Sequence, residues 1–137
     1  SICIPNAAVV TLKGPLDVSP EEWRRELAVN LDGAFHLAQT TAQRMVAARR
    51  PGRIVFVGSW AAEVAHPQIA AYSVSKAAVR MLAKCMALDL APHGILVNEV
   101  APEYVDAGLS GRIFRERPET RASALRQARR TDPASLS

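Results

Sequence analysis

The chain has 137 residues, 49% of them hydrophobic and 22% charged, with a formal net charge of +4 at neutral pH. That length and balance fit one globular domain and exclude a low-complexity or disordered chain. No apolar run is long enough to span a bilayer and none reads as a signal peptide, so no membrane partner is expected. Cys3 and Cys85 lack metal-ligand spacing; they read as two reduced thiols of a cytoplasmic protein, with no metal site.

Taken in chain order, Ser1-Ile-Cys-Ile4 reads as a buried strand, and Asn6 and Ala7 follow at its carboxyl end. A loop through Lys13-Gly-Pro-Leu-Asp17 leads to Ser19-Pro-Glu-Glu22, a capping box with proline at the first helical position. A helix is predicted from there to about Ala48, with Leu27, Leu31, Phe35, Ala38, Ala42 and Met45 at helical spacing and Gly33 as a candidate bend. Asn30 falls in mid-helix, where asparagine is unfavourable and ordinarily faces solvent. Arg49-Arg-Pro-Gly52 ends this helix. A second strand, Ile54-Val-Phe-Val57, closes in Gly58-Ser59. After a loop comes a helix carrying Tyr72-Ser-Val-Ser-Lys76, stopped by Pro92-His-Gly94. The third strand, Ile95 to Val100, ends at Pro102-Glu103. Apolar runs of this kind indicate a parallel sheet buried on both faces, and their alternation with helices indicates an α/β domain.

The chemistry centres on Tyr72 and Lys76. Four residues apart on a helix, they share one face. An ammonium beside a phenol favours the phenolate and lowers its pKa, which makes the tyrosine a general acid or base. Ser59, thirteen residues earlier and at a strand end, can hold a substrate oxygen against that phenol. The pair alone is weak, since a tyrosine and a lysine four apart arise by chance in roughly a quarter of chains this long. Its context gives it weight. Asn6, Ser59 and Pro102-Glu103 all lie at strand carboxyl ends, where open α/β sheets bind ligands.

In these motifs the chain resembles the short-chain dehydrogenase/reductase family of nicotinamide-dependent oxidoreductases, over residues from about 2 to 115. The family's Asn-Ser-Tyr-Lys tetrad falls on Asn30, Ser59, Tyr72 and Lys76. Its Asn-Asn-Ala-Gly motif falls on Pro5-Asn6-Ala7-Ala8, and its Pro-Gly motif on Pro102-Glu103. The resemblance implies a partial Rossmann-like doubly wound parallel sheet of about three strands, one domain over residues 1–137. It also implies an oxidoreductase that moves hydride between NAD or NADP and an alcohol or carbonyl substrate. Tyr72 would exchange the proton, Lys76 would lower the phenol pKa and bind the nicotinamide ribose, Ser59 would hold the substrate oxygen, and Asn30 would anchor a relay water. Asn6, Ala7, Pro102, Glu103 and Val105 would line the cofactor together with Tyr72 and Lys76. Substrate contacts would come from Ser59, Trp60, His66, Ile69 and Tyr72, with the stretch from Tyr104 to Phe114. The Ser19 and Tyr72 helices would pack into the interface of a homodimer or homotetramer.

Several positions depart from the pattern. Pro5, Ala8 and Glu103 replace Asn, Gly and Gly, and Ala107 stands where a carboxamide-binding Thr is usual. A carboxylate at position 103 would favour the cationic oxidised nicotinamide. No Gly-rich phosphate-binding turn occurs among the seven scattered glycines, so the chain reads as a fragment holding the catalytic half. NAD and NADP are not distinguished. Seven of the fourteen arginines lie between Arg112 and Arg130. Glu116 and Glu119 interrupt them, and no aromatic beyond Phe114 interleaves, so residues 112–130 read as a solvated substrate-lid helix and not a nucleic-acid surface. Two alternatives stand beside the dehydrogenase reading. One is an epimerase or dehydratase relative that uses the cofactor transiently. The other is a truncated, non-catalytic relative acting only through helix-mediated association.

Overall fold

A computed structural model of the chain describes residues 1–122 apart from Tyr104, Asp106, Ala107, Arg117 and Thr120, and gives only the backbone of Leu109. The expectations placed on Tyr104 and Ala107, and the end of the lid helix beyond 122, lie outside the described residues. The chain falls into two compact units, residues 1–102 and 103–137.

In the first unit, β1 (Ile2–Cys3), β2 (Gly52–Val57) and β3 (Ile95–Val100) form one parallel sheet in that order. Cys3 lies opposite Ile54, Ile54 opposite Val97 and Val57 opposite Val100. The register sets Cys3, Ile54, Phe56, Ile95 and Val97 on one face, and there they are buried. Ala38, Ala42 and Met45 of helix α2 (Gly33–Ala47) and Val79 and Ala83 of helix α3 (Ala70–Leu90) cover them. The alanines bring both helices close to the sheet. Full burial of Ile54 and Phe56 contributes about 1.5–3 kcal/mol each. The opposite face carries Ile2, Ile4, Leu96 and Val100, all at least half exposed. The parallel α/β sheet is therefore as expected, whereas burial of its apolar runs holds for one face.

The capping box forms as read. Ser19 Oγ accepts from Glu22 N at 3.1 Å, and Glu22 Oε2 accepts from Ser19 N at 2.9 Å. Helix α1 (Pro20–Leu27) starts there. The continuous helix expected to about Ala48 is interrupted, just before the candidate bend at Gly33, by a π turn over Ala28–Asp32. Such a turn inserts an extra residue into the helical repeat and rotates one position out of its regular face. Asn30 is the residue turned inward, and only 1% of it is exposed. Gly94, at φ 67°, closes the 3-10 turn Ala91–His93 in a left-handed conformation that suits glycine and directs the chain into β3. In the second unit, α4 spans Gly108–Glu116.

Candidate active site

The site lies where β2 ends and α3 begins. Ser59 leaves the strand in extended conformation and caps the 3-10 turn Trp60–Ala62, its Oγ accepting from Ala61 N at 3.2 Å. Its side chain also faces that of Tyr72, close enough to act on the phenol. The sequence reading places these two side chains together across thirteen residues. The strand end is itself fixed, since Gly58 N donates to Val100 O at 2.8 Å and Trp60 N to Pro102 O at 3.2 Å. The backbone of Pro102 is thus brought beside the Ser59 turn.

Tyr72 and Lys76 share the inward face of α3. Lys76 is buried, its Nζ donates to Val57 O at 2.7 Å, and it lies 5.6 Å from the Tyr72 ring centroid. The expected lowering of the phenol pKa does not hold in this structure. Burial pushes the Tyr72 phenol above its ordinary 10.0, the Ser59 hydroxyl acts against that rise, and the charge of Glu26 adds to it. Burial also pulls the Lys76 ammonium below its ordinary value, with the charge of Glu99 opposing. A phenol raised above 10.0 by burial is protonated at neutral pH.

Asn30 is buried and fully engaged through its amide. Oδ1 accepts from Val9 N at 2.8 Å, while Nδ2 donates to Val9 O at 2.9 Å and to Ser75 Oγ at 3.1 Å. Ser75 Oγ in turn donates to Tyr72 O at 2.7 Å. The asparagine ties the loop after β1 to the second turn of α3, and both its N–H donors are consumed in doing so. A solvent-facing side chain, the ordinary outcome for asparagine in mid-helix, is excluded.

The remaining expected residues divide by position. Trp60 and His66 stack edge to face with ring centroids 4.3 Å apart, and burial pulls the His66 imidazole below 6.5, keeping it neutral. Ile69, half-buried, opens α3 and pairs with Lys13 through an isolated parallel bridge. Asn6 and Ala7 are exposed beyond β1, as is Pro102 beyond β3. Glu103 and Val105 are exposed and belong to the second unit.

Three charged residues that sequence reasoning passed over are also here. Glu26, fully buried, accepts from Thr11 N at 2.9 Å through Oε2, and burial raises its carboxyl above 4.5. Arg80 pairs with Glu99 of β3 at 2.9 Å. The signals were spacing and polarity. Glu26 stands one turn before Asn30, Arg80 one turn after Lys76, and Glu99 is an acid inside an apolar strand. Among the described residues no group of three His, Cys, Asp or Glu could hold a metal, and no helix is long and apolar enough to cross a membrane.

Comparison with known proteins gives one consistent pattern. Residues 1–118 match the family described as short chain dehydrogenase. The chain is 40% identical over 118 residues to carbonyl reductase [NADPH] 2 of Sus scrofa, covering 86% of this chain and 48% of that protein. It is 38% identical over 124 residues to D-erythrulose reductase of Gallus gallus, covering 90% and 50%. Among solved structures, a putative NAD(P)-dependent gluconate 5-dehydrogenase from Beutenbergia cavernae with bound NADP superposes with a TM-score of 0.84 at 32% identity, covering 90% of this chain and 49% of that one. The chain spans about half the length of the curated relatives it matches.

Proposed function

Since the chain belongs to the short-chain dehydrogenase family, we propose that it carries the proton-transfer half of an oxidoreductase acting on an alcohol or carbonyl compound with NAD or NADP. The observation that carries this reading is the convergence of Ser59 and the buried Lys76 on the Tyr72 side chain, with the Lys76 ammonium 5.6 Å from the ring. Both units, residues 1–102 and 103–137, are read as parts of one catalytic domain.

The cofactor supplies or accepts the hydride when bound. The nicotinamide ribose fits the residues present, because Lys76 has three N–H donors and one goes to Val57 O. Asn6, Ala7, Pro102, Glu103 and Val105 are assigned to the same cofactor on the basis of the family pattern. The sequence offers no candidate cradle for the pyrophosphate.

On reduction, Ser59 Oγ positions the carbonyl oxygen of the substrate and Tyr72 Oη donates its proton to it. The raised phenol pKa supports this direction, since the donor is fully protonated at neutral pH. On oxidation, the phenolate takes the alcohol proton, so that direction requires higher pH. Lys76 stabilises the phenolate at that point. Asn30 holds the catalytic helix in register, and any water it anchors must use its backbone carbonyl or the spare lone pair on Oδ1, because its N–H donors are taken.

The Trp60–His66 stack supports a neutral hydroxylated substrate: the indole gives an apolar wall, and a neutral imidazole both donates and accepts. Ile69 adds an apolar contact at the start of α3. Leu37, Val74, Met81 and Leu88 expose apolar surface on α2 and α3, which supports association into a homodimer or homotetramer in a cytoplasmic protein. A screen of ketoses, polyols and simple ketones with NADH and NADPH tests the activity. Absorbance change at 340 nm that disappears in Tyr72→Phe supports it, and turnover that survives Tyr72→Phe contradicts it.

A further inference from the structure

Helix α3 carries a third polar residue on its reactive face. Tyr72, Lys76 and Arg80 recur every fourth position and form one row. Under Arg80, β3 places Glu99 as the third inward residue after Ile95 and Val97, where an apolar side chain would continue the core. Glu99 Oε2 accepts from Arg80 Nε at 2.9 Å, and Arg80 Nη1 also pairs with Glu63 of the loop after Ser59. The other oxygen, Oε1, is buried and has no hydrogen-bond partner in the structure. It lies against the backbone of Gly58, and a Cβ at that position would overlap it. Gly58 directly follows Val57, whose carbonyl holds the Lys76 ammonium. The free carboxylate oxygen and the ammonium therefore pack on adjacent residues of one strand end.

A buried carboxylate oxygen without a hydrogen bond is costly unless a cation faces it. Arg80 neutralises one oxygen, and Lys76, 4% exposed, is the second cation packed at this strand end. We propose that Glu99 is a positioning residue for Lys76: held in the notch at Gly58 by Arg80, its free oxygen is the counter-anion that keeps the ammonium charged and seated on the Val57 carbonyl beside Tyr72. This rests on reading Lys76 as part of the reacting row. The opposing effects of burial and of the Glu99 charge on Lys76 agree with it. The ammonium is bound by the Val57 carbonyl of β2 and lies 5.6 Å from the Tyr72 ring of α3, and Glu99 of β3 reaches it by its charge rather than as an ion pair. Glu63 acts on it through Arg80, and Glu26 of α1 acts on Tyr72. Arg80, one turn along the helix, opposes the charge on Lys76 while holding the anion that supports it.

The chain has three lysines, Lys13, Lys76 and Lys84. Carbon-13 NMR of labelled lysine side chains in the full chain therefore follows Lys76 directly, with Lys76→Met giving the assignment. Glu99→Gln is expected to move the Lys76 titration midpoint to lower pH, and Arg80→Met to move it to higher pH, while Lys13 and Lys84 stay in place. A general loosening of the site would move both variants in the same direction, so opposite signs isolate the electrostatic role. Should Glu99→Gln not fold, Glu99→Leu carries the same expectation, because it continues the apolar row of β3 and leaves Arg80 to Glu63. An unchanged Lys76 midpoint in the folded Glu99 variant, or shifts of the same sign in the two variants, overturns the proposal. The readout needs neither cofactor nor substrate. Loss of the dehydrogenase reading would instead appear as turnover that survives Tyr72→Phe while Lys76 still shifts in both directions.

Discussion

The two long helical segments that cover the sheet use their polar residues in opposite ways. In α1 and the π turn that follows it, Glu26 and Asn30 point inward and bind backbone groups of the loop after β1. In α3, Tyr72 and Lys76 point toward the strand end of β2 and leave donors that no backbone group takes up. The first segment breaks its helical repeat to bury its asparagine, whereas the second runs unbroken for 21 residues and keeps its row aligned. The contrast separates two kinds of buried polarity. Groups tied to the backbone of the loop after β1 hold the fold, and groups with spare donors at a strand end are read as available for chemistry.

Substitutions sharpen that contrast, beginning with the largest effect. Lys76→Met is expected to reduce turnover by about 10²-fold or more, the usual contribution of a group supporting general acid–base catalysis. Steady-state kinetics over a range of pH checks it, with the loss falling on kcat. Ser59→Ala is expected to cost roughly 10²-fold in kcat/KM, because a substrate hydroxyl or carbonyl loses its positioning partner, with a stability loss of about 1 kcal/mol from the uncapped Ala61 N–H. The reverse pattern is expected in the first segment. Asn30→Ala leaves the Val9 N–H and C=O without their partner, which costs about 2–4 kcal/mol of stability. Chemical denaturation reads this directly, and a fully stable Asn30→Ala would break the comparison.

A smaller effect tests Glu26. Its folded carboxyl holds a proton to higher pH than the unfolded chain does, so the unfolded state binds fewer protons as pH rises above 4.5. Stability therefore falls as pH climbs from 4.5 through the raised folded value. Glu26→Gln keeps an acceptor for Thr11 N and removes the ionisation. Its unfolding temperature should equal or exceed the parent's at neutral pH, with the advantage gone below 4.5. Smallest of all, Arg24→Ala removes an exposed pair with Glu21 and should leave thermal stability unchanged.

Much of this was legible in the sequence where the signal is local. The capping box at Ser19, the three strands, and the Tyr72–Lys76 face follow from spacings of three to six residues. Ser59 meeting Tyr72 was legible because a strand end and a helix start adjoin by topology. The inward turn of Asn30 was not, because its partners Val9 and Ser75 lie 21 and 45 residues away and a π turn has no sequence signature. The apolar runs of β1 and β3 suggested two buried faces, yet a run of apolar residues does not say which face is covered. Adjacency to Lys76 is visible in the sequence, while the burial that raises the phenol depends on the packed site.

The most direct test of the account is Tyr72→Phe, with cofactor-dependent turnover and thermal unfolding measured on the same preparation. Removing one hydroxyl from a site that holds chemistry should abolish turnover by about 10²-fold or more, with an unfolding temperature close to that of the parent. Turnover that persists at the parent's rate would contradict the assignment of Tyr72 as the proton-transferring group.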